Sequence, residues 1–151
     1  MLPSTEDIVC ITQNVLDTML NMNATLAEST ESSELTPPIT GCVQISGEWK
    51  GAVVIHASDT FVRLAATRML KMKLEDVVEA DLQDVLAEIT NMVGGNIKSH
   101  VPGPSFLSIP SVTIGQNFRF HLRGARVVSE TPMTSGDESL SVLICESTDA
   151  T

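Results

Sequence analysis

Residues 79–100, E-A-D-L-Q-D-V-L-A-E-I-T-N-M-V-G-G-N-I-K-S-H, constrain the fold of this chain more than any other stretch. Val85, Leu86, Ile89, Met92, Val93 and Ile97 recur at helical spacing and make one apolar face. Asp84, Glu88 and Asn91 stand four and three positions apart and stack along another. The pattern predicts a helix from Val77 or Glu79 to His100, about 22 residues and roughly 33 Å long, the longest element in the sequence. Val101-Pro102-Gly103-Pro104 ends it. Gly94 and Gly95 lie inside and should cost about 1.5–2 kcal/mol against alanine. A close crossing by another helix or backbone would explain them, and a kink is the other account.

The polar face of this helix carries the candidate chemistry. A carboxylate such as Glu88 can take an ion pair from a partner cation. A carboxamide one turn away, Asn91, can both donate to and accept from a water. Neither is a nucleophile. Taken alone, E-x-x-N is a weak motif in a helix of ordinary composition.

With 151 residues and 42% hydrophobic content, the chain is read as a single domain, 1–151 with its core at about 4–146, able to bury a core without disulfides. The formal net charge of −10 argues against nucleic acid or an anionic membrane as partner, since both are bound through clustered Lys and Arg. The acidic start M-L-P-S-T-E-D lacks the basic segment of a signal peptide, and no run is long enough for a membrane span, so a cytoplasmic protein is expected. Cys10, Cys42 and Cys145 are odd in number, widely spaced and set among apolar neighbours, which predicts buried free thiols. His56, His100 and His121 show no ligand spacing, so no metal site is expected in this chain.

In chain order, Pro3-Ser4-Thr5-Glu6-Asp7 reads as a capped helix start, and Ile8, Ile11, Val15, Leu16, Met19 and Leu20 carry that helix to about Leu20. Asn21 to Pro38 reads as a connection. Ile39–Ser46 and Gly51–Ala57 form an antiparallel pair around Gly47-Glu48-Trp49-Lys50, with Trp49 covering the local packing edge rather than stacking on a ligand. Ser58-Asp59 caps a second helix that ends near Lys71-Met72-Lys73. Strands are expected over Phe106–Ile114, with Pro110 at an edge or bulge, and over Phe118–Leu122, Arg126–Glu130 and Leu140–Cys145. In this reading His121 faces solvent, and Leu140, Val142 and Ile144 pair with Val127 and Val128 across a turn at Thr134-Ser135-Gly136-Asp137. The tail from Glu146 is left without structure. The order predicts an α+β, two-layer fold with long helices packed on a mainly antiparallel sheet.

Asp7-Ile8-Val9-Cys10-Ile11-Thr12-Gln13-Asn14 aligns without a gap on Asp84-Val85-Leu86-Ala87-Glu88-Ile89-Thr90-Asn91. Asp and Asn recur, and Ile11 stands where Glu88 does. The parallel points to two related halves, one of which has lost its central carboxylate.

The pattern Asp84, Glu88, Asn91, Gly94, Gly95, Asn96 resembles the signature of the CheC/CheX/FliY chemotaxis phosphatases, and its single complete copy is similar to CheX. The likeness extends over the element order from about Ser4 to Cys145. It implies hydrolysis of the phosphoaspartate of a CheY-type response regulator, in chemotaxis or related two-component signalling, by a homodimer with a CheC/CheX-like fold. Carried onto these residues, it makes Glu88 the partner of the regulator's lysine, Asn91 the residue that orients the attacking water, and Asp84 a supporting residue. Mg²⁺ is then expected in the regulator, with no cofactor bound by this chain. Ile11 departs from the two-site members, so one active centre per chain is expected, with Asn14 a relic or a packing residue.

The rival reading is a non-catalytic CheX-like module that binds a receiver or a flagellar-switch partner. Retention of both Glu88 and Asn91 weighs against it. No P-loop, dinucleotide-type glycine loop or recognisable Ser-His-Asp or Cys-His set is present, and a protein-sized substrate would account for that absence.

Overall fold

The computed structural model describes residues 2–27, 38–114 and 124–148. Helix α1 spans Thr5–Leu20, followed by the short strand β1, Thr25–Leu26. The hairpin β2, Ile39–Gly47, and β3, Gly51–Ala57, precedes helix α2, Asp59–Met69, a 3-10 turn at Leu74–Asp76 and the long helix α3, Glu79–Lys98. Strands β4, Ser105–Leu107, β5, Ser111–Ile114, β6, Ala125–Ser135, and β7, Glu138–Ser147, complete the order. All described strand pairs are antiparallel, in the order β1-β6-β7-β3-β2-β4, and β5 also pairs with β2. The α+β class with helices on a mainly antiparallel sheet is as expected.

The helix starts follow local chemistry. Ser4 caps α1: its hydroxyl accepts from Asp7 N–H at 3.1 Å, and the Asp7 carboxylate accepts from Ser4 N–H at 3.0 Å, so two orphan donors are satisfied reciprocally. Ser58 caps α2 by accepting from Phe61 N–H. Val78 has no capping side chain, but its N–H donates to the Asp81 carboxylate at 3.0 Å.

Strand register sorts the sheet into two faces, because successive side chains point opposite ways. The rows Val43–Val53–Ile144, Gly41–Ile55–Val142 and Ile39–Ala57–Leu140–Met133 face the helices. With Ile8, Val15, Leu16, Leu20, Phe61, Val62, Leu82, Val85, Leu86, Ile89, Val93 and Ile97 they build the main core. Cys42, Ala52, Val54, Leu143 and Cys145 form a smaller cluster on the other face. α3 packs against α1, α2 and the strands β2 to β5.

Several expectations are corrected. The span from Asn21 to Pro38 contains β1, which pairs with Met133 and Thr134; a two-residue edge strand carries no periodicity to read. The stretch Phe106–Ile114 is two strands rather than one, broken at Ser108-Ile109-Pro110, where proline has no N–H for the ladder. Leu140, Val142 and Ile144 pair with Met133, Thr131 and Ser129, because β6 runs on to Ser135 and a bulge between Val127 and Ser129 shifts the register; the turn itself is Gly136-Asp137, with Gly136 at φ +61°. Glu146 and Ser147 belong to β7. Phe118–Leu122 and His121 lie outside the described residues.

Cys42 and Cys145 are buried free thiols, but Cys10 is exposed, since it lies off the Ile8–Thr12–Val15–Leu16 stripe of α1. Burial pushes the Cys42 thiol up to about 11, which leaves it unreactive at neutral pH. Trp49 is a packing residue: it is 8% exposed and its indole N–H donates to Glu146 at 3.1 Å. Among the described residues no helix is long and apolar enough to cross a membrane.

Candidate active site on the long helix

α3 is held by its apolar stripe. Leu82, Val85, Leu86, Ile89, Val93 and Ile97 are buried against the sheet and the other two helices. Gly94 adds a close approach, since a β-carbon there would lie 2.5 Å from Val43 Cγ2 of β2. The crossing expected of the two glycines is therefore made by a strand side chain, not by a second main chain, and only at Gly94. At Gly95 an added β-carbon would meet nothing nearer than Leu107 Cδ2 at 3.9 Å. The helix runs unbroken through both. Asn96 bonds within the helix, its Nδ2 donating to Met92 O at 2.8 Å.

With that stripe fixed, the opposite polar row must face outward. Asp84 and Glu88 are exposed and Asn91 is half-buried. The three share one wall of an open depression of about 500 Å³ whose remaining lining is Ala87 and the segment Leu107-Ser108-Ile109-Pro110. The structure thus brings all three sequence-selected residues together. Among the described residues, none of the three side chains makes a hydrogen bond or ion pair. Two carboxylates one turn apart repel, and no cation among the described residues pairs with either. Such a row is chemically vacant: it offers two anionic acceptors and a carboxamide to an incoming molecule. No group of three or more Cys, His, Asp or Glu among the described residues could hold a metal ion.

The wall from Leu107 to Pro110 was missed by sequence reading, which put these residues inside a continuous strand. Pro110 was the only signal of a break. Ser108 fixes this wall to β2, since its N–H donates to Gln44 O and its hydroxyl accepts from Gln44 N–H, both at 2.9 Å.

The aligned positions in α1 have other duties. Asp7 is consumed by the capping box, and the hydrogen bonds from Ser4 hold its carboxyl below the usual carboxylate range. Ile11 packs on the core, and Asn14 is exposed.

A family model for the chemotaxis phosphatase CheX matches residues 39–134 of the 151. The chain belongs to the CheX family. No curated protein sequence matches it. Among solved structures, chemotaxis protein CheX from Vibrio vulnificus has a TM-score of 0.75 at 19% identity, covering 91% of this chain and 92% of that one. The CheX–CheY–BeF3–Mg²⁺ complex from Borrelia burgdorferi also gives 0.75, at 17% identity, covering 97% and 99%. A CheC-like superfamily protein from Shewanella sp. PV-4 gives 0.70 at 24%, covering 91% and 93%. At these identities the likenesses establish a shared CheX/CheC-like fold.

Proposed function

We propose that this CheX-family chain hydrolyses the phosphoaspartate of a CheY-type response regulator, with Asn91 orienting the attacking water, Glu88 pairing with the regulator's lysine and Asp84 in support. The observation that carries this reading is the outward row Asp84, Glu88, Asn91, unengaged among the described residues and lining an open depression. An enclosed pocket would favour a small molecule, whereas an open ledge on a rigid helix fits a protein surface.

Phosphoryl transfer asks for positioning and charge neutralisation more than for a protein nucleophile. Water attacks phosphorus, the bond from phosphorus to the aspartyl oxygen breaks, and inorganic phosphate and a free carboxylate result. The Asn91 carboxamide can hold that water by accepting a hydrogen bond from it. Glu88 can form a charge-assisted contact with an ammonium group. Mg²⁺ held by the regulator supplies neutralisation of the phosphoryl oxygens. The partner class is supported by the Borrelia burgdorferi relative, solved with CheY. A cytoplasmic homodimer is part of the same proposal, and sedimentation checks the dimer.

The test is the decay of a phosphorylated CheY-type regulator from the same organism, with and without substoichiometric chain, alongside Asn91→Ala. Faster decay that the variant loses is the expected result. Unchanged decay with binding retained would make the chain a recognition module.

A further inference from the structure

Ile109 is the most exposed large apolar side chain among the described residues, at 89%. It is nevertheless firmly held. Ser108 on one side is bonded to Gln44 of β2 through both its N–H and its hydroxyl, and that hydroxyl also donates to Ile109 O at 3.1 Å. Pro110 on the other side fixes its own φ and leads directly into β5. Between these anchors Ile109 stands on the rim of the depression, across from Asp84, Glu88 and Asn91. An isoleucine held in water adds nothing to the fold, and covering it with a partner releases its hydration cost.

The facing wall decides what kind of partner that is. Two carboxylates with no cationic partner among the described residues call for a basic side chain, set next to an apolar hollow that takes Ile109. A second copy of this chain fits poorly, because a two-fold contact through this face would oppose acid to acid in a chain of net charge −10. We propose that Ile109 is the apolar anchor through which the receiver domain of the phosphorylated regulator docks, its basic side chain received by the acidic row. This rests on the function proposed above.

The test measures affinity for a CheY-type receiver loaded with beryllofluoride and Mg²⁺, together with the hydrolysis kinetics of the phosphorylated receiver, for the wild type, Ile109→Ser and Phe106→Ser. Phe106 is also exposed, at 64%, but alternates to the other side of β4 from Leu107, which meets α3. Ile109→Ser should raise Kd and KM about tenfold with an unchanged saturating rate and an unchanged unfolding midpoint. Phe106→Ser should match wild type. Equal affinity of Ile109→Ser and wild type, with hydrolysis intact, overturns the anchor and leaves the phosphatase reading standing. Binding that depends on Ile109 without any hydrolysis upholds the anchor and overturns the catalytic reading. Loss of self-association in Ile109→Ser at unchanged receiver affinity overturns the anchor in favour of a second copy, and no receiver binding by wild type overturns both.

Discussion

Gly94 of α3 lies so close to Val43 of β2 that a β-carbon on it would come within 2.5 Å of Val43 Cγ2. Val43 sits in the strand row Val43–Val53–Ile144, fully inside the core, with little freedom to retreat. The helix-forming gain of alanine, about 1 kcal/mol, is therefore opposed by overpacking, which costs about 1–3 kcal/mol. Gly94→Ala should destabilise the chain in urea unfolding, and Val43→Ala should relieve that strain in a double-mutant cycle. Additive losses would contradict the contact.

Gly95 behaves differently. Its nearest neighbour for an added β-carbon is Leu107 Cδ2 at 3.9 Å, an ordinary contact. Gly95→Ala should raise the unfolding midpoint, stabilising by up to about 1 kcal/mol. A destabilised variant would mean that the helix needs this glycine for a reason other than packing.

Asn91→Ala should slow hydrolysis of the regulator's phosphoaspartate about 100-fold while association stays close to wild type. Titration of the decay rate against chain concentration separates the two quantities. An equal loss of binding would remove the water-orienting role.

For Glu88→Ala the expected defect is in association, with a smaller effect on the saturating rate, because a charge-assisted contact is lost. Its salt dependence should also weaken. A pure turnover defect at unchanged KM would count against the lysine pairing.

Burial lowers the pKa of His56, against an opposing pull from Glu130, and its Nδ1 lies 2.8 Å from Thr40 Oγ1. The unfolded chain therefore takes up a proton at higher pH than the folded one. Stability from this site is complete above about pH 6.5 and is lost as pH falls through the lower folded value. Melting temperature followed from about pH 7.5 to pH 5 should fall more in wild type than in His56→Asn. Parallel curves would rule the site out as a contributor.

Much of the architecture was legible because it is written in local patterns. Ser4 with Asp7 and Ser58 ahead of Phe61 announce helix starts through bonds made within three residues. The strands around Trp49 follow from two apolar runs and a glycine-bounded turn. Residues whose role depends on distant chain were harder to read. Cys10 looked like its buried counterparts but faces water. Asp7 and Asp84 hold matching positions in two similar octapeptides, yet one caps its own helix and the other lies free.

By itself, the sequence determined the long helix and the row Asp84, Glu88, Asn91 along it, because helical period fixes which side chains share a face before any packing occurs. Tertiary structure alone decided what that row looks across to. Placing Leu107 to Pro110 beside the helix requires β4 and β5 to pair with β2, 58 to 75 residues earlier in the chain. Such pairing comes from strand register and proline's missing donor, which no local periodicity encodes.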